Sequence, residues 1–273
     1  MWWPTLGKRG RFGNSALVGI SFALALGVSP APVQAGATAL LQALSPRDYL
    51  DLGNQHYQRK NWSKAAAAYQ EALKLQPNYV EAHYNLANTF AARKDLGAAL
   101  REYREAARLR PDFPGVHINI GILLEVQGQL KEAIEEYQAE LRRKDDHFEA
   151  LLHLGSVLAD TGQIKKAVDV YRRALALSPR NAELYQRLGK TFQKAKQYSQ
   201  AIKFYRQAVE ITPANEEVRM GLAAALAQSG DVSGAITEYQ RGIDLNQINP
   251  DPHFNLAHLL KAQANLIEAI RHY

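Results

Sequence analysis

The five residues Ala201-Ile202-Lys203-Phe204-Tyr205 contain the pair of side chains that decides the fold. A spacing of four places Ala201 and Tyr205 on one face of a helix, one turn apart. A small and a large flat side chain presented together specify close packing against a neighbouring helix. The same pair recurs every 34 residues along the chain, at Ala65 and Tyr69, Ala99 and Tyr103, Ala133 and Tyr137, Ala167 and Tyr171, Ala235 and Tyr239, and Ala269 and Tyr273.

Other residues share this period and divide each unit into two halves. Thirteen places before each alanine stands leucine or isoleucine followed by glycine or alanine, as at Leu154-Gly155. A short break such as Gly162-Gln163 separates the halves, and proline follows the second half because it cannot continue a helix. Each unit is therefore predicted to be helix, turn, helix. The closing prolines are Pro77, Pro111, Pro179 and Pro213.

A hairpin of two such helices cannot bury its apolar face alone, so successive hairpins must stack into one continuous core. The pattern of Leu-Gly/Ala, Ala, Tyr, Ala and Pro resembles the tetratricopeptide repeat family over residues 46–273, without insertion or deletion. This resemblance implies an all-α fold, a right-handed α-solenoid of antiparallel helix-turn-helix repeats. The units begin at Pro46, Val80, Pro114, Phe148, Ala182, Glu216 and Pro250, and the last is incomplete.

The composition is typical of a folded protein and does not predict a strongly charged ligand such as nucleic acid. The 273 residues are 47% hydrophobic and 22% charged, which is typical of a folded protein. Half of the formal charge of +6 comes from Lys8, Arg9 and Arg11 near the N-terminus, so the remainder is too weakly basic to predict nucleic-acid binding. The absence of cysteine from the sequence excludes disulfides and cysteine-ligated metals.

Residues 1–35 have the layout of a secretory signal peptide. Basic residues precede an apolar run over residues 15–28, and the small-residue exit Val33-Gln34-Ala35 predicts cleavage after Ala35. The run is short for a membrane span of about twenty residues. An uncleaved membrane anchor, with residues 15–28 as the tether, and a buried N-terminal helix are the alternatives. We therefore expect an exported protein, in the periplasm or an equivalent lumen.

Residues 36–45 are predicted to be a linker or an N-terminal cap, ahead of a repeat domain over residues 46–273. Ser45 followed by Pro46 and Asp48 is typical of a helix start. In the third unit Glu140 stands where the pattern has alanine, and Asp145 where it has proline. This weakens close packing and predicts a hinge between the third and fourth units.

The resemblance also predicts where a ligand would bind. In this family the first helix of each unit lines a concave groove, and its second, fifth, sixth, ninth and thirteenth places point into that groove. These places carry many asparagines in the N-terminal half. An asparagine can pair with both N–H and C=O of an extended peptide, and the row resembles the asparagine ladder of the O-linked N-acetylglucosamine transferases. The predicted ladder is Asn54, Asn85, Asn88 and Asn119.

The fifth unit offers a second candidate surface. Arg187, Lys190 and Lys194 are spaced three and four apart and share one helix face directed into the groove. Converging cations make charge-assisted hydrogen bonds, so this stripe could hold an acidic segment or a phosphate. An ordinary solvated helix face is the alternative.

No catalytic, cofactor or metal motif is found. His83, His117 and His253 share the fourth place of their units, where the family often has an aromatic, so they are interpreted as packing residues. The sequence contains no phosphate loop, dinucleotide fingerprint or Gly-x-Ser-x-Gly motif. We therefore expect neither an enzyme nor a bound cofactor or metal.

The combined prediction is an exported, non-catalytic interaction scaffold whose groove binds an extended segment of a partner protein in the assembly of a complex. The alternative is a regulatory or substrate-presenting arm of a larger enzyme, such as a glycosyltransferase, that continues beyond Tyr273. Self-association through the last repeat is a third hypothesis.

Overall fold

The computed structural model describes residues 44–272, and from Ser45 onward the chain forms one compact unit. Every regular element in this part is a helix, and consecutive helices pack together as antiparallel pairs. The described chain is an α-solenoid, as predicted. Its helices are α1 Pro46–Gln58, α2 Trp62–Leu75, α3 Val80–Ala92, α4 Leu96–Leu109, α5 Val116–Val126, α6 Leu130–Arg143, α7 Phe148–Asp160, α8 Ile164–Leu177, α9 Ala182–Lys194, α10 Tyr198–Ile211, α11 Glu216–Ser229, α12 Val232–Leu245, α13 Pro250–Ala262 and α14 Leu266–His272.

The recurring alanine and tyrosine form the centre of the core. All described members of the series are at most 4% exposed. The tyrosine ring lies against the small residue of the first helix: a Cβ added to Gly155 would be 2.5 Å from the ring of Tyr171, and one added to Gly121 would be 2.5 Å from that of Tyr137. The small residue is therefore required by the close approach of the ring.

The turn inside each repeat has one residue in the left-handed region, at the same position in every repeat. Glycine occupies it at Gly128, Gly162 and Gly230, where φ is +75°, +77° and +92°. In the other four repeats a residue with a Cβ adopts the same conformation, at a steric cost that glycine avoids. These four are Lys60, Lys94, Lys196 and Ala264.

Packing, rather than proline, determines where the second helices end. Helix α6 ends at Arg143 although Asp145 replaces the proline, and this is the same repeat position at which α2 and α4 end ahead of Pro77 and Pro111. One start differs from the predicted unit boundary: α5 begins at Val116 rather than at residue 114, because Gly115 adopts φ +77° and delays the helix.

Glu140 does not interrupt the core. Its side chain is 0% exposed and accepts a hydrogen bond from Arg143. Buried side chains on both sides of the joint between the third and fourth repeats, such as Leu141 and Leu151, belong to one continuous cluster. The packing thus gives no support to the predicted hinge. The two larger clusters meet instead in the fifth repeat, where Phe192 packs against both.

The fourth place of the first helix ties neighbouring repeats together. The His117 ring faces the carboxylate of Glu136 at 2.6 Å and the carbonyl oxygen of Pro111 at 3.0 Å. His83 has the same two kinds of partner, at 2.7 and 2.9 Å. Two acceptors around one ring favour the imidazolium, which donates from both nitrogens. The interpretation of these histidines as packing residues was therefore incomplete.

Arg219 occupies the equivalent place in the sixth repeat. It donates to the carbonyl oxygen of Pro213 at 2.8 Å and to Glu238 at 2.7 Å. The same tie between a repeat and the loop before it is thus made by a permanent cation. In the last repeat the fourth place departs from this pattern, since His253 faces His272 with 3.0 Å between their Nδ1 atoms.

Several predictions concern residues outside the described part. The signal peptide or anchor over residues 1–35, its apolar run over residues 15–28 and all but the last two residues of the linker 36–45 lie there, as does Tyr273. Within residues 44–272, no helix is both long enough and apolar enough to cross a membrane. The predicted cap at the first helix is present, with Ser45 Oγ accepting from the N–H of Asp48 at 3.2 Å.

Replacing glycine by alanine at two helical positions tests the close approach of the ring. Gly155→Ala brings a Cβ against the buried ring of Tyr171, so we expect a loss of about 1–3 kcal/mol in unfolding free energy. Gly97→Ala is the matched control, since its nearest neighbour is Arg101 Nη1 at 3.9 Å. In this control the higher helix propensity of alanine should raise the unfolding free energy by roughly 0.5–1 kcal/mol. Urea unfolding measures the free energy of both variants. Changes of the same sign in the two variants would contradict the packing argument.

The tie at His117 predicts a pH dependence of stability. The hydrogen bond to Glu136 raises the pKa of His117 above its ordinary value of 6.5. A raised folded-state pKa means that the stabilisation is complete below pH 6.5 and is lost as the pH rises through the folded-state pKa. His117→Arg, which copies Arg219, should reduce the difference in urea midpoint between pH 6 and pH 9. An unchanged difference would show that His117 does not carry this charge.

Candidate binding groove

Tyrosine hydroxyls from the second helices reach polar side chains on the first helices. Tyr69 donates to Asn54, at the ninth place of its repeat, at 2.8 Å. Where the ninth place is Ile122, the hydroxyl of Tyr137 donates instead to Glu125, three places further on, at 2.9 Å. The residue that packs the core therefore also helps to position polar side chains on the first helices.

The predicted asparagine ladder is partly a linked network. Asn54 Oδ1 accepts from Tyr69 and also from Asn85 Nδ2 at 2.9 Å. Asn88 Oδ1 accepts from the hydroxyl of Tyr103. The structure thus brings Asn54 and Asn85 into direct contact and bonds Asn88 to its own repeat.

The last predicted asparagine, Asn119, is joined to the second repeat. Its Nδ2 donates to the hydroxyl of Tyr84 at 2.8 Å. All four asparagines are half-buried on α1, α3 and α5. One polar atom of each asparagine side chain has no hydrogen-bond partner within residues 44–272 and can pair with a ligand. These atoms are Nδ2 of Asn54, Oδ1 of Asn85, Nδ2 of Asn88 and Oδ1 of Asn119.

The basic stripe of α9 lines one wall of a cavity of about 320 Å³. Arg187, Lys190 and Lys194 all contribute to it, and their side chains are 32%, 51% and 55% exposed. The three side chains therefore share one surface.

Each of these cations already has a carboxylate partner. Arg187 pairs with Glu183 on its own helix at 2.8 Å, and Lys190 reaches Glu217 on α11 at 2.7 Å. Lys194 pairs with Asp160 on α7. The stripe is thus balanced by three acids rather than being an open basic patch. Sequence reasoning missed these acids, although they occupy the second and thirteenth places that the resemblance directs into the groove.

Tyr171 forms the floor of this charged region. Ser156 and Arg187 line the same cavity. Burial raises the pKa of Tyr171, and the nearby Arg187 opposes that rise. The tyrosine therefore remains a neutral hydroxyl at physiological pH, and Arg187 is held between it and Glu183.

The described side chains offer no evident metal centre. Within residues 44–272, no group of three or more histidine, aspartate and glutamate side chains is placed to hold a metal ion. What the groove offers is hydrogen-bonding amides at one end and paired charges at the other. Such groups can bind a polypeptide without chemical change.

Models of known families match most of the repeat region. One described as "TPR repeat" matches residues 53–93, and others described as "Tetratricopeptide repeat" match residues 80–113, 118–182, 158–224 and 192–251. No curated protein matches the chain.

Solved structures share the fold at low sequence identity. The C-terminal part of a TPR repeat-containing protein from Cytophaga hutchinsonii has a TM-score of 0.70 at 16% identity, covering 82% of this chain and 92% of that one. MamA from Desulfovibrio magneticus RS-1 has a TM-score of 0.59 at 24% identity, covering 62% and 95%. YrrB, described as a TPR protein with an unusual peptide-binding site, has a TM-score of 0.57 at 21% identity, covering 67% and 95%.

Proposed function

Because the chain belongs to the tetratricopeptide repeat family, whose repeats build protein-interaction scaffolds, we propose that its groove binds an extended segment of a partner protein without catalysing a reaction. Binding of this kind serves the assembly or stabilisation of a complex. The observation that carries the proposal is the set of unpaired asparagine amides on α1, α3 and α5. They alternate donors and acceptors along successive repeats.

The chemistry of these amides suits main-chain recognition. An extended peptide presents N–H and C=O groups in alternation, and each asparagine can form a hydrogen bond with one of them. The internal bonds from Tyr69 and Asn85 hold the Asn54 side chain in place before a ligand arrives. Such preorganisation reduces the entropy lost on binding. The N-terminal half of the groove would therefore grip a main chain with little regard to its side chains.

Two variants test this part of the groove. Asn85→Ala with Asn119→Ala removes two ligand-facing carbonyls and leaves the tyrosine acceptors Asn54 and Asn88 in place. Gln70→Ala with Gln200→Ala, on exposed faces of second helices, is the control.

A phage-displayed library of random peptides, selected on the wild type, supplies the probes. We expect the selected peptides to bind the asparagine variant about tenfold more weakly, which corresponds to about 1.4 kcal/mol, and the glutamine control as well as the wild type. Equal binding to all three proteins would refute main-chain recognition by the asparagines.

Export is the second part of the proposal. The basic start, the apolar run over residues 15–28 and the small residues ending at Ala35 support secretion with cleavage after Ala35. Expressing the full chain in a bacterium and sequencing the N-terminus of the extracytoplasmic product should return Gly36. A product that begins at Met1 and is recovered with the membrane would favour the anchor over residues 15–28.

The last described repeat favours two further candidate roles. Leu266 and Ile270 of α14 are 56% and 74% exposed, whereas at the same places of the fourth repeat Ile164 is half-buried and Val168 is buried. This apolar face suits a following repeat of a longer enzyme arm or a second copy of the chain. Light scattering over a range of concentrations and the reading frame beyond Tyr273 distinguish the two.

A further inference from the structure

The charged half of the groove has an ordered sequence of charges. Lys190 and Lys194 stand one turn apart on α9 and reach in opposite directions, to Glu217 on α11 and to Asp160 on α7. Arg187 and Glu183 pair within α9. The charges that pair between helices therefore follow the order acid, base, base, acid across three first helices. All four side chains line the same cavity and are between 45% and 69% exposed. They are accessible to a ligand.

A buried polar group beside these pairs lacks a partner. Gln186 exposes 9% of its surface and lines the same cavity, and its Nε2 has no hydrogen-bond partner within the described chain. A buried N–H group without an acceptor is costly. A ligand carbonyl drawn into this wall, after a small rotation of the amide, would supply the missing acceptor.

We propose that this half of the groove selects partner segments in which two acidic residues lie between two basic ones. The inference rests on the proposed function and specifies which side chains the bound segment carries. The acids of the segment would pair with Lys190 and Lys194, and its bases with Asp160 and Glu217. Each internal ion pair is then exchanged for two intermolecular pairs, and no charge is left without a partner.

A purely acidic segment is disfavoured by the same arrangement. It could pair with the two lysines only by displacing Asp160 and Glu217, which would then face the acids of the ligand. Like charges in contact are destabilising, and the cavity walls strengthen the repulsion relative to bulk water. The balanced charge of this region thus disfavours acidic tails and phosphate, which the basic stripe alone would have attracted.

Helix geometry sets the spacing of the preferred segment. Four residues of helix rise about 6 Å, and neighbouring first helices lie roughly 10 Å apart. The two ion pairs are therefore centred roughly 10–15 Å from each other. An extended chain covers this distance in about three to five residues. A base-acid pair, two neutral residues and an acid-base pair match it.

Two blocked, fluorescently labelled peptides of identical composition provide the probes. One carries the order KESGEK and the other the inverted order EKSGKE, so only the pattern differs. By fluorescence anisotropy in low salt, we expect the first to bind the wild type about five- to tenfold more tightly, since exposed ion pairs contribute about 0.2–1 kcal/mol each. At about 1 M salt, where the Debye length falls to about 3 Å, the difference should shrink towards unity.

The second part of the experiment uses a variant in which Lys190 and Lys194 have lost their carboxylate partners. Asp160→Asn with Glu217→Gln keeps the shapes of both side chains and removes the two acids. This protein should bind an all-acidic peptide, EESGEE, more tightly than KESGEK, reversing the preference of the wild type. Gln70→Ala with Gln200→Ala, on exposed second-helix faces, should keep that preference.

Equal affinity of the wild type for KESGEK and EKSGKE, tighter binding of EESGEE by the wild type, or no binding of any of the three would overturn the inference. The proposed function has a separate readout, since library-selected peptides that depend on Asn85 and Asn119 would still show main-chain binding. Loss of both readouts would reject the groove as a peptide site altogether.

Discussion

The contact between a tyrosine ring and the small residue that faces it is the constraint on which the rest of the molecule depends. At Gly155 there is no room for a Cβ beneath the ring of Tyr171. The two helices of a repeat can therefore approach closely only when the first carries a small residue, and the second a flat ring, at the point of contact. Repetition of the contact at a fixed interval makes every hairpin alike, so that identical stacking interfaces follow one another.

The recurring tyrosine connects the core to the groove. The rings of Tyr69 and Tyr137 are buried, while their hydroxyls donate to Asn54 and Glu125 on the first helices. Amide orientation in the N-terminal half is thus set by hydroxyls anchored in the core. In the C-terminal half, Tyr171 contacts Arg187 instead, and charge takes the place of amide hydrogen bonding. One scaffold therefore carries two chemically different surfaces.

Much of this organisation could be predicted from the sequence, because close packing leaves a strict periodic signal. The helices, their turns and the clustering of Arg187, Lys190 and Lys194 follow from that period. The partners of those cations did not, since Asp160 and Glu217 meet them only through stacking of separate repeats. The hydrogen bonds of His117 were not predicted for a related reason: its acceptors lie on another helix and on a loop. Glu140 broke the pattern, yet it is buried and accepts a hydrogen bond from Arg143 one turn later.

The left-handed turn residues bear on the order in which parts of the solenoid open. Repeats interact only with their neighbours, so backbone strain at Lys60 or Lys196 cannot be shared by the whole array. Hairpins closed by Gly128, Gly162 and Gly230 avoid that strain. Fluctuations should consequently concentrate in the first two, the fifth and the last hairpins, while the third, fourth and sixth stay more rigid. A segment entering the groove would then meet the most compliant pair of hairpins at the N-terminal end and the longest rigid stretch in the middle.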